Sequence, residues 1–287
     1  MYPEFAHELE LESGMKVDLR DDGTILFPSP GTLDSDFRSR HTLPVPLVGL
    51  EAALACANEA PIFLTERSVD PRALTKAAWQ AAKNRGVDFS SGDAVTAINL
   101  SDSHVAGVTT TKTSFLAEKV VNCAGAWSGQ IGPHPIPTRP VKGQMLCLAM
   151  HPRDLLKHVI RTPKVYLIPR TDGRLLVGAS VEEAGFDKRT DPDTIQRLHR
   201  AALELVPQLR DAKILEDWAG LRPGAPDALP ILGATPTPGY FVATGHFRDG
   251  ILLAPVTAKI ISDVIGGTDP GYDLTQFSIT RFFSLSS

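Results

Sequence analysis

The sequence predicts an α/β fold, α+β overall, in two parts: a unit of helices and strands, and a second unit built on a largely antiparallel sheet. Three observations predict it. A capped, amphipathic helix over 70–86 runs into short β-rich segments; a proline-dense crossing over 135–140 leads to strands joined by a tight turn; a strand, a glycine turn and a helix follow near the end. The 287 residues, 43% hydrophobic and 22% charged, suffice for two cores rather than one.

Phe5, Leu9 and Leu11 among acidic residues read as an amphipathic helix, so the chain opens inside an element. Asp70 and Pro71, then Leu74, Ala77, Ala78 and Ala81, then Gly86, supply an N-cap, a proline at the first helical position, an apolar stripe and a glycine stop. Residues 94–98, 105–111 and 119–121 are β-rich runs with polar turns between them, so a hairpin is expected before the last strand of this unit. The prolines at 135, 137 and 140 each disfavour helix for the residue before them, which makes 135–140 an extended domain crossing.

Strands are expected over 144–149, 165–169 and 174–180, with Thr171, Asp172 and Gly173 turning the last two into a hairpin. A helix starting near Asp191 and Pro192 puts Ile195, Leu198, Ala202, Leu205 and Val206 on one face and should pack on that sheet until Pro207 disrupts it. Residues 240–244 read as a strand, 245–250 as a turn, and 255–265 as a helix stopped by Gly266 and Gly267.

A formal net charge of -4 and a pI near 6.1 offer no broad attraction to phosphate backbones or anionic lipid, so nucleic acid and membrane give way to a small-molecule partner. Cys56, Cys123 and Cys147 are odd in number and set among apolar residues, which suits reduced, buried packing thiols rather than a disulfide framework. The first residues carry neither a basic nor an apolar leader region, and no later stretch reaches the length that spans a bilayer; the expected location is cytoplasmic.

Three segments carry chemistry. Residues 120–128 form an apolar strand ending in the small residues Ala124, Gly125 and Ala126, which let a ligand approach the backbone; alone, this is equally a buried strand entering a turn. Residues 218–223 hold Arg222 between Gly220 and Pro223, where a planar guanidinium can clamp a carboxylate bidentately, although a surface ion pair is the commoner fate of an arginine. Residues 245–255 place backbone N–H groups and the positive end of a helix where negative charge would be stabilised. His246 within them reads as structural, because no second His or Cys stands at ligand spacing, and no metal is expected.

In this order, and with Pro140 to Gln144, Val165 to Arg170 and Leu176 to Ala179, these segments resemble the FAD-dependent amino-acid oxidase family, most nearly glycine oxidase, from Tyr2 to about Ile265. The resemblance implies a Rossmann-like FAD-binding domain, residues 69–136 and 218–287, interleaved with a substrate domain, residues 1–68 and 137–217, on a largely antiparallel sheet. It implies non-covalent FAD, and as substrate a small amino acid or amine that yields hydride from Cα to flavin N5; the imine hydrolyses and oxygen gives peroxide. Arg222 matches the family's carboxylate clamp, Tyr166 the hydroxyl that supports the same carboxylate, and Arg248 a second arginine near the pocket mouth. Ala124, Gly125, Trp127 and Gly220 would line the cofactor and Val95 would touch its adenosine end. Gly245, Asp249, Gly250, Ile251 and Leu252 would lie by the pyrimidine edge of the flavin. Val181 sits where side-chain volume would restrict the substrate.

Members of that family open with a strand, a G-x-G-x-x-G turn and a helix that bind the pyrophosphate, and this sequence contains no such element. The resemblance therefore implies a truncated FAD-binding domain with poor FAD retention and marginal solubility, its missing part encoded upstream of a misassigned start. A gene remnant and a split enzyme completed by another chain are the alternatives. Three functions stay open: a glycine-oxidase-like enzyme whose imino acid feeds thiamine biosynthesis, a D-amino-acid dehydrogenase or sarcosine-oxidase-like enzyme, and a catalytically silent remnant or interaction subunit. Homo-oligomerisation stays open too.

Overall fold

The computed structural model describes residues 1–55 and 60–285, and Cys56 lies outside the described residues. Helix α1 (Tyr2–Ser13) ends at Gly14, whose left-handed φ of 69° a Cβ would disfavour. Strands β1 (Leu19–Arg20) and β2 (Thr24–Leu26), short helices α2 (Ser35–Arg40) and α3 (Leu47–Leu50), and strands β3 (Ile62–Leu64) and β4 (Ser68–Val69) follow. Helix α4 (Pro71–Asn84) begins where its local signals put it. Asp70 accepts from the amides of Arg72 and Ala73 at 2.8 and 3.2 Å, and Pro71 takes the first position. Its stripe of Leu74, Ala77 and Ala81 buries against Ala6 and Leu9 of α1. Within residues 1–68, β2 and β3 therefore join the large sheet described below, whereas α1 packs on α4.

Strands β5 (Val95–Ser101), β6 (His104–Thr110) and β7 (Ser114–Leu116) form an antiparallel meander, one strand more than the expected hairpin, because residues 114–116 pair back onto β6. Strand β8 (Val120–Asn122) comes next, then β9 (Arg139–Ala149), β10 (Val159–Arg161), β11 (Tyr166–Pro169), β12 (Arg174–Gly178) and α5 (Pro192–Leu205). Strand β9 starts inside the proline-dense crossing. Pro140 falls opposite Pro223 near the end of a ladder, where a missing N–H costs least. Strands β13 (Ile214–Gly224), β14 (Ile231–Ala234) and β15 (Tyr240–Thr244) lead to helix α6 (Gly250–Gly266). That helix starts at Gly250 rather than at Pro255, which lies inside it.

A seven-stranded sheet runs in the order β13-β9-β12-β11-β10-β2-β3, every pairing antiparallel except β10 with β2. Ile25, Ile160, Leu167, Val177 and Leu146 stand in register across five neighbouring strands and are fully buried. Helix α5 covers this row with Leu198 and Ala202, as its apolar face predicts. Each such side chain contributes about 1.5–3 kcal/mol by leaving water. Alternation along the strands turns the neighbouring residues to the opposite face.

A smaller sheet, β14-β15-β8, pairs β15 with β8 in parallel and carries α6. Among the described residues β8 is paired on one side only. No helix among them is long and apolar enough to cross a membrane.

Candidate active site

The site occupies the face of the large sheet turned away from α5. Strand register puts Arg161 of β10, Tyr166 of β11, Gly178 of β12, Met145 of β9 and Trp218 of β13 in one row on this face, with Gly143, Gly220 and Arg222 following by alternation. Two glycines make room for the polar groups. A Cβ on Gly143 would overlap the Arg222 guanidinium, and one on Gly178 would come within 2.8 Å of the Tyr166 ring. Arg222 Nη1 donates to the Ser180 carbonyl at 3.2 Å, and among the described residues no carboxylate pairs with this guanidinium.

The end of β13 fixes the turn before α6. The Phe247 amide donates to the Pro223 carbonyl at 3.0 Å, and Gly224 and His246 form an antiparallel bridge. Arg248 is thereby brought to Tyr166 and Arg222 in a single cavity of about 320 Å³. The three expected substrate side chains do come together. Sequence reasoning missed Thr24, Glu66, Arg67 and Arg161, which line the same cavity. Burial raises the Tyr166 pKa above its ordinary value while Arg222 and Arg248 pull it down, so at neutral pH the phenol keeps its proton. Its hydroxyl donates to Met145 Sδ at 3.7 Å, a weak acceptor.

Of the expected cofactor-facing residues, Ala124, Gly125 and Trp127 lie in the turn after β8, which packs on β13; Gly220 lies on β13; Gly245, Asp249, Gly250, Ile251 and Leu252 lie in the turn into α6 and its first residues; and Val95 lies on β5. Asn122, a buried residue that sequence reasoning did not single out, locks the turn after β8. Its Nδ2 donates to the Ser128 and Ile131 carbonyls at 3.1 and 3.3 Å and to Tyr240 Oη at 2.9 Å, while Oδ1 accepts from the Ala124 amide at 3.1 Å. Thr244 Oγ1 donates to the Gly125 carbonyl at 3.0 Å and ties this turn to β15. Because Asn122 takes the inward position, Cys123 is exposed rather than buried as expected, whereas Cys147 on β9 is buried.

Helix α6 opens at Gly250, Ile251 and Leu252 without a side-chain cap from Asp249. His246 Nε2 pairs with Thr257 Oγ1 at 3.0 Å, and burial holds its pKa below the ordinary value against the opposing pull of Asp249. Val95 begins β5 in the meander, and Val181 is exposed; neither lines the cavity.

A family model described as DAO, FAD dependent oxidoreductase, matches residues 2–264. The chain belongs to the FAD-dependent oxidoreductase family. It is 40% identical over 219 residues to the bifunctional protein ThiO/ThiG of Nostoc sp., covering 75% of this chain and 33% of that protein. It is 38% identical over 179 residues to the glycine oxidase of Pseudomonas putida, covering 61% of this chain and 48% of that enzyme. The crystal structure of glycine oxidase from Geobacillus kaustophilus matches with a TM-score of 0.88 at 29% identity, over 98% of this chain and 80% of that one. The chain spans about a third of the first of these curated relatives and about half of the second.

The residues present fit the flavin end of the family's cofactor. Gly125 and Gly220 have nothing within 4 Å of where a Cβ would stand, which leaves bare backbone open to a flat ring. Trp127, Ile251 and Leu252 expose apolar surface, and the uncapped amides of a 17-residue helix offer positive charge. The described residues contain no G-x-G-x-x-G turn, so the fit concerns the ring and not the pyrophosphate. Among them no three His, Cys, Asp or Glu side chains converge to hold a metal ion.

Proposed function

We propose that this protein acts as an FAD-dependent amino-acid oxidoreductase of the glycine-oxidase type, on glycine or a comparably small amino acid or amine. The observation that carries this reading is the meeting of Tyr166, Arg222 and Arg248 in one cavity. Similarity to glycine oxidase and ThiO/ThiG sequences at 38% and 40% identity supports it.

Arg222, braced on the Ser180 carbonyl, keeps the rest of its guanidinium free for a substrate carboxylate. Tyr166, neutral and beside Arg222, which can only donate to the phenol oxygen, gives its own hydroxyl proton to the same carboxylate. Two such contacts fix the orientation of Cα, so that orientation entropy is lost on binding rather than in the reaction. Arg248 adds positive charge to the cavity wall. The amides at the start of α6 stabilise negative charge that develops beside them. FAD, when bound non-covalently, supplies the two-electron acceptor for the Cα–H bond and returns the electrons to oxygen as peroxide. The resulting imine either hydrolyses to a keto acid and ammonia or, from glycine, feeds thiamine biosynthesis. The setting we propose is cytoplasmic, in keeping with the unpaired thiols of Cys123 and Cys147.

The test is visible absorption of the protein titrated with FAD, then mixed anaerobically with glycine, sarcosine or D-alanine. A bound-flavin spectrum that one of them bleaches, with bleaching lost in Arg222→Gln, is the expected result. Absence of bound flavin, or a bound flavin that none of the three bleaches, overturns the proposal for this chain.

A further inference from the structure

The cavity holds more positive charge than one carboxylate can use. Four arginines line it, Arg67, Arg161, Arg222 and Arg248, against the single carboxylate of Glu66. Arg161 is the cross-strand partner of Tyr166, so its side chain rises beside the phenol on the site face, with Cβ atoms about 5 Å apart by the usual geometry of such pairs. Glu66 Oε1 accepts from Arg161 Nη2 at 3.2 Å, which steadies the guanidinium without satisfying it. Arg161 Nε is buried and has no hydrogen-bond partner among the described residues. Arg67, next in sequence to Glu66, makes no ion pair with any described carboxylate.

Arg67 is exposed and Arg161 partly so, which leaves water to screen their charge in part, and the wall still attracts a further anion beside the one on Arg222. Glycine would offset the Arg222 end alone. Resting on the reading of the site given above, we propose that the cavity takes a small amino dicarboxylate, one carboxylate on Arg222 and Tyr166 and the second on Arg161 and Arg67. The β10–β11 pairing sets the spacing between the two ends, because it puts Arg161 directly beside Tyr166 rather than across the cavity from it. The two acid groups of the substrate are therefore close together, as in an aspartate-sized or an N-carboxymethyl amino acid. Glu66 then works as a positioning residue that aims Arg161.

The experiment is calorimetric titration of the full chain with propionate and with succinate at one ionic strength, repeated on Arg161→Gln, Arg67→Gln and Arg222→Gln. The expected result is succinate bound about tenfold or more tightly than propionate, the gain of a second charge-assisted pair. That ratio should fall towards one in Arg161→Gln and decline in Arg67→Gln, and propionate binding should disappear in Arg222→Gln. Arg161→Lys, which keeps the charge but loses the planar fork, provides a second variant should the glutamine variant fail to fold; an intermediate ratio is expected. A ratio near one in the unmodified protein, with propionate still dependent on Arg222, overturns the dicarboxylate proposal and leaves the glycine-type reading standing. If neither acid binds, both are overturned.

Discussion

The phenol of Tyr2 donates a hydrogen bond to the backbone carbonyl of Ile251 at 3.0 Å, across 249 positions of sequence. That carbonyl is the one Pro255 would serve in an unbroken helix, and proline has no N–H to give. The contact ties α1 to the first turn of α6, the turn whose amides face the proposed flavin site.

Tyr2→Phe should therefore destabilise the protein by about 0.5–1 kcal/mol, the range for a partly exposed hydrogen bond. Pro255→Ala restores an amide that can pair with Ile251. In that background the Tyr2→Phe penalty should shrink, and urea denaturation of the four proteins in a double-mutant cycle measures the difference. An equal penalty in both backgrounds would mean that Tyr2 acts through ring packing, as in its edge contact with Phe5 at 6.2 Å.

Gly143 is bare because the Arg222 guanidinium occupies the space a Cβ would need. Gly143→Ala should push the guanidinium off the Ser180 carbonyl at little cost to folding, since the group that must move is the end of a flexible side chain. Carboxylate affinity should fall about tenfold or more with the loss of one bidentate pair. Propionate titration read beside a thermal melt separates this from general destabilisation. A variant that binds normally would show that Arg222 does not need that position.

Local signals explain which parts of this fold are legible in the sequence. Helix α4 is legible because its cap, proline and apolar stripe lie within a dozen residues, and α5 for the same reason. The start of α6 is not legible, since Pro255 favours a first helical position and the hydrogen bond it cannot give to the Ile251 carbonyl comes from the distant Tyr2. Tyr166, Arg222 and Arg248 are legible through the ordered resemblance; nothing local brings β11, β13 and the α6 turn together. Arg161 left a usable signal. With 159–161 read as a strand and Thr162 closing a turn on the Val165 carbonyl at 2.9 Å, Arg161 falls opposite Tyr166. Thr24 reaches the site through the parallel β10–β2 pairing, for which no short-range pattern exists.

The Tyr166 hydroxyl should stay protonated well into alkaline solution, because burial outweighs the two arginines that favour its phenolate. Removing a cation that favours the phenolate moves the pKa further up, so Arg222→Gln should delay ionisation of Tyr166 rather than advance it. Ultraviolet phenolate absorbance, with Tyr166→Phe to identify the signal, reads this directly. An earlier ionisation in Arg222→Gln would mean that the phenol opens to water when the arginine is lost.

Asp70 joins α4 to the hairpin that carries the site, accepting from two amides of the helix and from Arg174 Nη2 at 2.7 Å. Burial alone would raise its pKa, but the Arg174 hydrogen bond and the Ala73 and Arg72 amides outweigh it and hold the carboxyl below its ordinary value. A depressed folded-state pKa contributes stability that is fully present above the unfolded value of about 3.9 and is lost as pH falls through the folded value. Asp70→Ala should cost about 2–4 kcal/mol at neutral pH, combining a lost cap with a broken, mostly buried pair. Asp70→Asn keeps an acceptor for the cap and loses only the charge, so it should cost less. Urea denaturation at pH 7, 5 and 3 should show the gap between the wild type and Asp70→Asn unchanged from 7 to 5 and narrowing towards 3. A gap that stays constant through pH 3 would mean that the ionised charge facing Arg174 does not help to hold α4 to the sheet.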